Sequence, residues 1–125
     1  MTEAQPISIR VQTRFLEDQS EPQSDRYVFA YTIRIANVGS QTAQLRRRHW
    51  VITDSNGKVQ EVRGDGVVGE QPTLSPGSEF EYSSGAIIET PVGSMQGSYE
   101  MHGADGNAFE APIQPFTLAV PGILQ

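Results

Sequence analysis

Apolar residues recur at every second position through most of this chain, and that period fixes its fold class. Ile7, Ile9, Val11, Thr13 and Phe15 alternate with Ser8, Arg10, Gln12 and Arg14. After a polar, turn-rich stretch over 17–25, Tyr27, Phe29, Tyr31, Ile33 and Ile35 take up the same alternation. Successive side chains of a strand point to opposite faces, so each run has one buried face and one wet face. Asn37-Val38-Gly39-Ser40 ends the second strand with turn residues. A third strand is predicted over about 42–54 and a fourth over about 58–63, with Asn56-Gly57 between them as the strongest hairpin signal. Further strands fall at 78–85 after Pro76-Gly77, at 95–102, and at 108–112 after Asp105-Gly106. A last short strand, 113–119, is placed at an edge or bulge by Pro112 and Pro115. No segment carries a 3.6-residue apolar period. Turn signals every roughly 8–12 residues fit a two-sheet antiparallel sandwich, so the chain is all-β.

The third strand has a parity conflict. Trp50 and Ile52 share a face with Arg46 and Arg48, while Leu45 and Val51 lie opposite. Burying Trp50 beside Arg48 requires a bulge, or an Arg48 side chain paired with an acidic neighbour.

With 125 residues the chain is one domain over 1–125, with 1–5 and 121–125 expected as loose tails. The absence of cysteine excludes disulfides, zinc-thiolate sites and thiol catalysis, and is compatible with a reducing cytosol. The start, Met1-Thr2-Glu3-Ala4-Gln5-Pro6, is polar and acidic, and no apolar run reaches membrane-spanning length, so a cytoplasmic location is expected. Nine basic against 15 acidic residues leave a net charge of −6. That balance argues against generic binding to nucleic acid or anionic membranes, which need a cationic face. Lys58 is the only lysine, so the positive charge is almost all arginine, which favours fixed, directional pairing.

The segment Gly64-Asp65-Gly66-Val67-Val68-Gly69 spells G-x-G-x-x-G. In a dinucleotide fold such glycines join a strand to a helix whose N-terminus holds the pyrophosphate. Here Glu70-Gln71-Pro72-Thr73-Leu74-Ser75-Pro76-Gly77 follows, and its prolines and glycine exclude a helix. A backbone nest for an anion would still be open to Gly64, Gly66 and Gly69, although Asp65 opposes it by repulsion. The competing reading is architectural: glycines permitting positive φ at a bulge or turn between strands.

Arg46, Arg47, Arg48 and Arg63 are candidates for the cationic half of a phosphate or acidic-peptide site, because the Asn56-Gly57 hairpin is expected to bring Arg48 and Arg63 together. The alternative is ordinary pairing with Glu61, Asp65 or Glu81. Potential metal ligands are His49, His102, Asp54, Glu61, Asp65, Glu70 and Asp105, but none has a spacing that binds metal locally. Asp54-Ser55-Asn56-Gly57 resembles the start of a calcium loop without its later acidic ligands, and a hairpin accounts for it. No nucleophile elbow or base-orienting carboxylate is indicated. Trp50, Phe80, Tyr82 and Tyr99 read as core anchors rather than a base-stacking platform.

The ordered run from Arg48-His49-Trp50 through Gly64–Gly69, Leu74-Ser75-Pro76-Gly77, Phe80-Glu81-Tyr82, Thr90-Pro91-Val92-Gly93 and Phe109-Glu110-Ala111-Pro112 strongly resembles the bacterial ApaG (CorD) family over nearly the whole chain. The resemblance implies a fibronectin type III-like β-sandwich in a bacterial cytoplasmic protein, associated with cobalt resistance and magnesium efflux and often encoded beside a dinucleoside-tetraphosphate hydrolase. Eukaryotic versions of the domain occur in F-box adaptors and a polymerase-delta-interacting protein, which implies a protein-binding module. It brings no catalytic residues and no cofactor. The expected function is therefore non-enzymatic protein binding through Gly64, Asp65, Gly66, Val67, Val68 and Gly69 with Arg48 and Arg63, to an unidentified protein partner, with strand addition at a sheet edge as one mode. The alternative is a sensor using the same loop and arginines to bind a nucleotide, pyrophosphate or divalent cation weakly.

Overall fold

A computed structural model describes residues 6–123. Eight strands form in chain order: β1 (Ile7–Phe15), β2 (Tyr27–Asn37), β3 (Ala43–Asp54), β4 (Val59–Asp65), β5 (Thr73–Leu74), β6 (Glu79–Ile88), β7 (Val92–Gly103) and β8 (Ala108–Ala119). Two short 3-10 turns, Glu17–Gln19 and Pro22–Ser24, fill the polar stretch between β1 and β2. All strand pairs are antiparallel, in a three-stranded sheet β1-β2-β6 and a five-stranded sheet β4-β3-β7-β8, with β5 continuing the β4 edge against β3. This is the fibronectin type III-like sandwich. The expected tail 1–5 and residues 124–125 lie outside the described residues. Residues 121–123 close a turn in which Ile123 N–H donates to Val120 O.

The alternating residues build the core as expected. Ile33, Ile35, Leu45, Met95, Tyr99, Met101 and Leu118 are fully buried between the sheets. Trp50 is packed edge-on to Tyr99 and Phe116, with centroids 6.3 and 5.9 Å away, and against Tyr31 at 5.4 Å. Such tilted and T-shaped contacts suit the ring quadrupoles. Trp50, Tyr82 and Tyr99 are the core anchors expected of them, and Phe80 packs half-buried at the margin. The Tyr82 and Tyr99 hydroxyls hydrogen-bond each other, joining β6 of one sheet to β7 of the other.

Two irregularities follow from sequence. The β3–β7 register shifts between Leu45 and Arg47, making Arg46 the extra residue of a bulge. The bulge lets Leu45 and Trp50, five positions apart and so of opposite parity, both face the core. The β7–β8 register shifts between Met95 and Gly97, opposite Gln114 and Pro115. Pro115 thus lies at a bulge, and the two strands expected at 108–112 and 113–119 are one continuous edge strand, β8. The two expected hairpins are built alike. Gly57 N–H donates to Asp54 O and Gly106 N–H to Gly103 O, and both glycines have positive φ. The Asp54 carboxylate accepts from the Asn56 and Lys58 amides at 2.9 Å each, so it is a turn cap.

Candidate functional site

β4 and β5 both pair with β3, and residues 66–72 form an excursion from that single edge. The excursion is held by its own backbone. Gly66 N–H donates to Arg46 O at 2.9 Å, and Val67 and Glu70 exchange both backbone hydrogen bonds at 2.8 and 2.9 Å. Val68 and Gly69, with φ of 44° and 82°, occupy the two central positions of this tight turn. Positive φ at both positions is the type I′ pattern, which normally selects asparagine, aspartate or glycine. A β-branched valine there is strained. The two valines separate: Val67 is fully buried and plugs the core, whereas Val68 is 55% exposed at the tip.

The first two motif glycines are demanded by close approach. A Cβ on Gly66, whose φ is 63°, would sit 2.3 Å from Glu70 O. A Cβ on Gly64 would sit 2.7 Å from Arg48 Nη1 and 2.8 Å from Cζ, so the bare glycine backbone is the floor under the guanidinium. Arg48 Nη1 donates to Asp65 O at 3.0 Å and Gly66 O at 2.9 Å. This resolves the parity conflict differently from the expected acidic partner. The bulge lies upstream of Arg48 and leaves it on Trp50's face, and the Asp65 carboxylate projects from the other face. The nearest acceptors are therefore the carbonyls of 65 and 66.

Beneath Arg48 lie three phenols. Tyr31, Tyr82 and Tyr99 all have raised pKa values, chiefly because burial disfavours the phenolate, and Arg48 opposes the shift in each. Arg48 thus closes the open end of the aromatic core while reaching solvent.

Arg63 does not join it. Arg48 is opposite Gly64 and His49 is opposite Arg63 in the β3–β4 register, so the two arginine side chains leave opposite faces of the sheet. Arg63 bonds Glu61 Oε1 at 2.7 Å, and His49 Nε2 meets the same oxygen at 2.8 Å. Hydrogen bonds from His49 and then Arg63 hold the Glu61 carboxyl below its ordinary range. Arg47 pairs with Asp65 at 3.6 Å, and Arg34 with Glu81 at 3.2 Å. On the same outer face as Arg63, His102 meets Glu100 at 2.9 Å and lowers that carboxyl too. Of the anticipated arginine pairings, Arg63 meets Glu61 and Arg47 meets Asp65, whereas Glu81 pairs with Arg34 in the other sheet and Arg48 bonds backbone carbonyls instead.

An open groove of about 340 Å³ runs over this region, lined by Arg47, Arg48, Arg63, Gly64, Asp65 and Ser98 among others. Glu100 and Glu110 also border it, so its charges are mixed. A larger concavity, about 840 Å³, lies elsewhere, between the β2–β3 connection and the β7–β8 turn, and of the candidate residues it includes only Asp105. Among the described residues no three His, Cys, Asp or Glu side chains are grouped to hold a metal ion. No helix among them is long and apolar enough to cross a membrane.

Sequence reasoning missed the His49–Glu61–Arg63 contact and the exposure of Val68. The first was available: Asn56-Gly57 sets the hairpin register, which places His49 across from Arg63. The second was not, because adjacent valines give no signal for which one turns inward.

The comparisons with known proteins agree with this architecture. The ApaG domain matches residues 17–103. The ApaG protein of Thiobacillus denitrificans is 64% identical over 118 residues, covering 94% of this chain and 93% of that protein. The ApaG protein of Pseudomonas putida is 59% identical, covering 94% of each. A crystal structure from Bordetella pertussis, described as ApaA, is 52% identical and superposes with a TM-score of 0.91 over 93% of this chain and 94% of that one. None of these names denotes an enzymatic activity. With a matching domain over most of its length and relatives of this identity, the chain belongs to the ApaG family.

Proposed function

We propose that this chain is a non-enzymatic, cytoplasmic protein-binding module that presents the 64–69 loop, with Arg48 and Arg63, to its partner. Val68 is the observation that carries this reading. The fold holds a β-branched residue at positive φ in order to display it, 55% exposed, at a turn tip where asparagine or glycine would be unstrained. Arg63 and the Arg48 guanidinium lie near it along the same sheet edge, one on each face, supplying directional donors for acidic groups. The cobalt and magnesium association implied by the family would then act through the partner.

A small-ligand sensor is the second reading, and the arginine-lined groove is what favours it. Against it, the amides of Gly66, Val67 and Glu70 are already bonded to carbonyls, as are the carbonyls of Asp65 and Gly66 to Arg48. A phosphate would have to displace these bonds.

The test is capture from lysate of the natural host with wild-type, Val68→Asp and Arg63→Ala baits, each checked for a native melting transition. A protein retained by the wild type and lost from the folded Val68→Asp bait supports the module. Failure to retain any specific protein, or equal retention by all three baits, refutes it. Gly66→Ala is unsuitable as bait because it disturbs the fold itself.

A further inference from the structure

The four sheet edges differ in what they offer a neighbouring strand. In β4, Lys58 O accepts from Asp54 N–H and Gly66 N–H donates to Arg46 O, so even-numbered residues bond to β3. Val59, Glu61, Arg63 and Asp65 therefore aim their N–H and C=O groups outward, the Asp65 carbonyl alone already accepting from Arg48. β4 has no proline or bulge in its pairing with β3, and Val59 and Val62 are 57% and 38% exposed. The other edges lack this combination. β8 contains Pro112, Pro115 and a bulge. By the same accounting, Val38 N–H to Pro6 O leaves only uncharged residues outward on β1, and Asn37 N–H to Ser78 O turns Glu79 and Glu81, two like charges, outward on β6.

Glu61 and Arg63 are opposite charges two residues apart, flanking Val62. In an antiparallel pair of two β4 strands centred on Val62, Glu61 lies opposite Arg63 of the second copy, and Arg63 opposite its Glu61. The parity fits, because both are outward-bonding positions and would form the hydrogen-bonded pairs, with the two exposed Val62 side chains in contact at the axis. Moving the axis one residue either way sets Arg63 against Arg63 or Glu61 against Glu61, and like charges directly opposite are unfavourable. We infer that β4 pairs with β4 of a second copy of this chain, in the register centred on Val62, forming a two-fold dimer with a continuous sheet. The occupant of this edge is then the protein itself, which goes beyond the partner proposed above and is read by a different experiment.

A strand pair of this length buries little area, so association is expected in roughly the 10 μM to 1 mM range. Sedimentation over that range tests it with wild type, Glu61→Arg, Arg63→Glu, and an equimolar mixture of the two variants, all confirmed folded by circular dichroism. Each single reversal makes both cross-strand pairs repulsive and should weaken dimerisation about tenfold or more. In the mixed dimer one copy carries two cations at these positions and the other two anions. Both cross-strand pairs are then attractive again, and association should return. A monomer throughout, a dimer indifferent to either reversal, or a mixture that stays monomeric would overturn the assignment.

Discussion

Replacing each motif glycine by alanine separates architecture from ligand binding, because the three positions have different neighbours. At Gly69 the φ of 82° carries the left-handed penalty of about 1–2 kcal/mol, but a Cβ meets nothing within 4 Å. At Gly66 the same penalty applies at φ 63°, and the Cβ would overlap Glu70 O at 2.3 Å. Relieving that overlap must move the carbonyl that accepts from Val67 N–H, a bond worth about 1 kcal/mol, and must partly withdraw Val67 from the core. The total for Gly66→Ala is roughly 3–5 kcal/mol. Gly64→Ala displaces only the flexible end of Arg48, so it costs about 2 kcal/mol through the two carbonyl bonds and should be nearly silent in an Arg48→Ala background. Urea unfolding with unchanged m-values is the assay. If Gly66→Ala cost no more than Gly69→Ala, or if Gly64→Ala kept its full effect without Arg48, the glycines would not be doing what the geometry requires of them.

Three further outcomes rest on the buried phenols and the outer-face pairs. Burial raises the pKa values of Tyr31, Tyr82 and Tyr99, so their contribution to stability is intact below the ordinary value near 10 and falls above it, by up to about 1.4 kcal/mol per pH unit for each. Their phenolate absorbance should appear with cooperative alkaline unfolding, and gradual ionisation of a native protein would contradict this. Tyr82→Phe orphans the fully buried Tyr99 hydroxyl at a cost of about 1–3 kcal/mol, and the Tyr82→Phe/Tyr99→Phe double variant should lose less than the sum of the singles. Strict additivity in urea unfolding would deny the bond. Because hydrogen bonds from histidine depress Glu61 and Glu100, their stabilisation is present above the ordinary carboxylate pKa and is lost as pH falls through the folded values. His49→Ala should raise the Glu61 pKa in a carboxyl-carbon NMR titration and leave Glu100 in place.

Much of the fold was legible because one rule, the two-residue period, governs most of the chain. The expected bulge in β3 was to part Trp50 from Arg48; the bulge at Arg46 instead lets Leu45 and Trp50 share the core, and Arg48 stays on Trp50's face. Strand ends were less legible. β6 continues through Ala86 and Ile88, which are buried against the core, although the alternation is masked by Gly85 and the adjacent Ile87. β5 has only two residues and exists through pairing with β3 at Ala43 and Gln44, a tertiary fact with no local period. The candidate site was half legible. The prolines after Gly69 ruled out a helix, but the role of Gly64 as a platform for Arg48 depends on cross-strand register. Arg48 and Arg63 were grouped by nearness along a hairpin, yet a one-residue offset in register sends them to opposite faces.

The most direct measurement is a titration of isotopically labelled protein with ATP, pyrophosphate, Mg²⁺ and Co²⁺, following its backbone amide resonances. With Gly66, Val67 and Glu70 already bonded within the fold, the amides of these three residues should stay unmoved to millimolar ligand. Saturable shifts clustered at those residues would contradict the account and make the loop a ligand site.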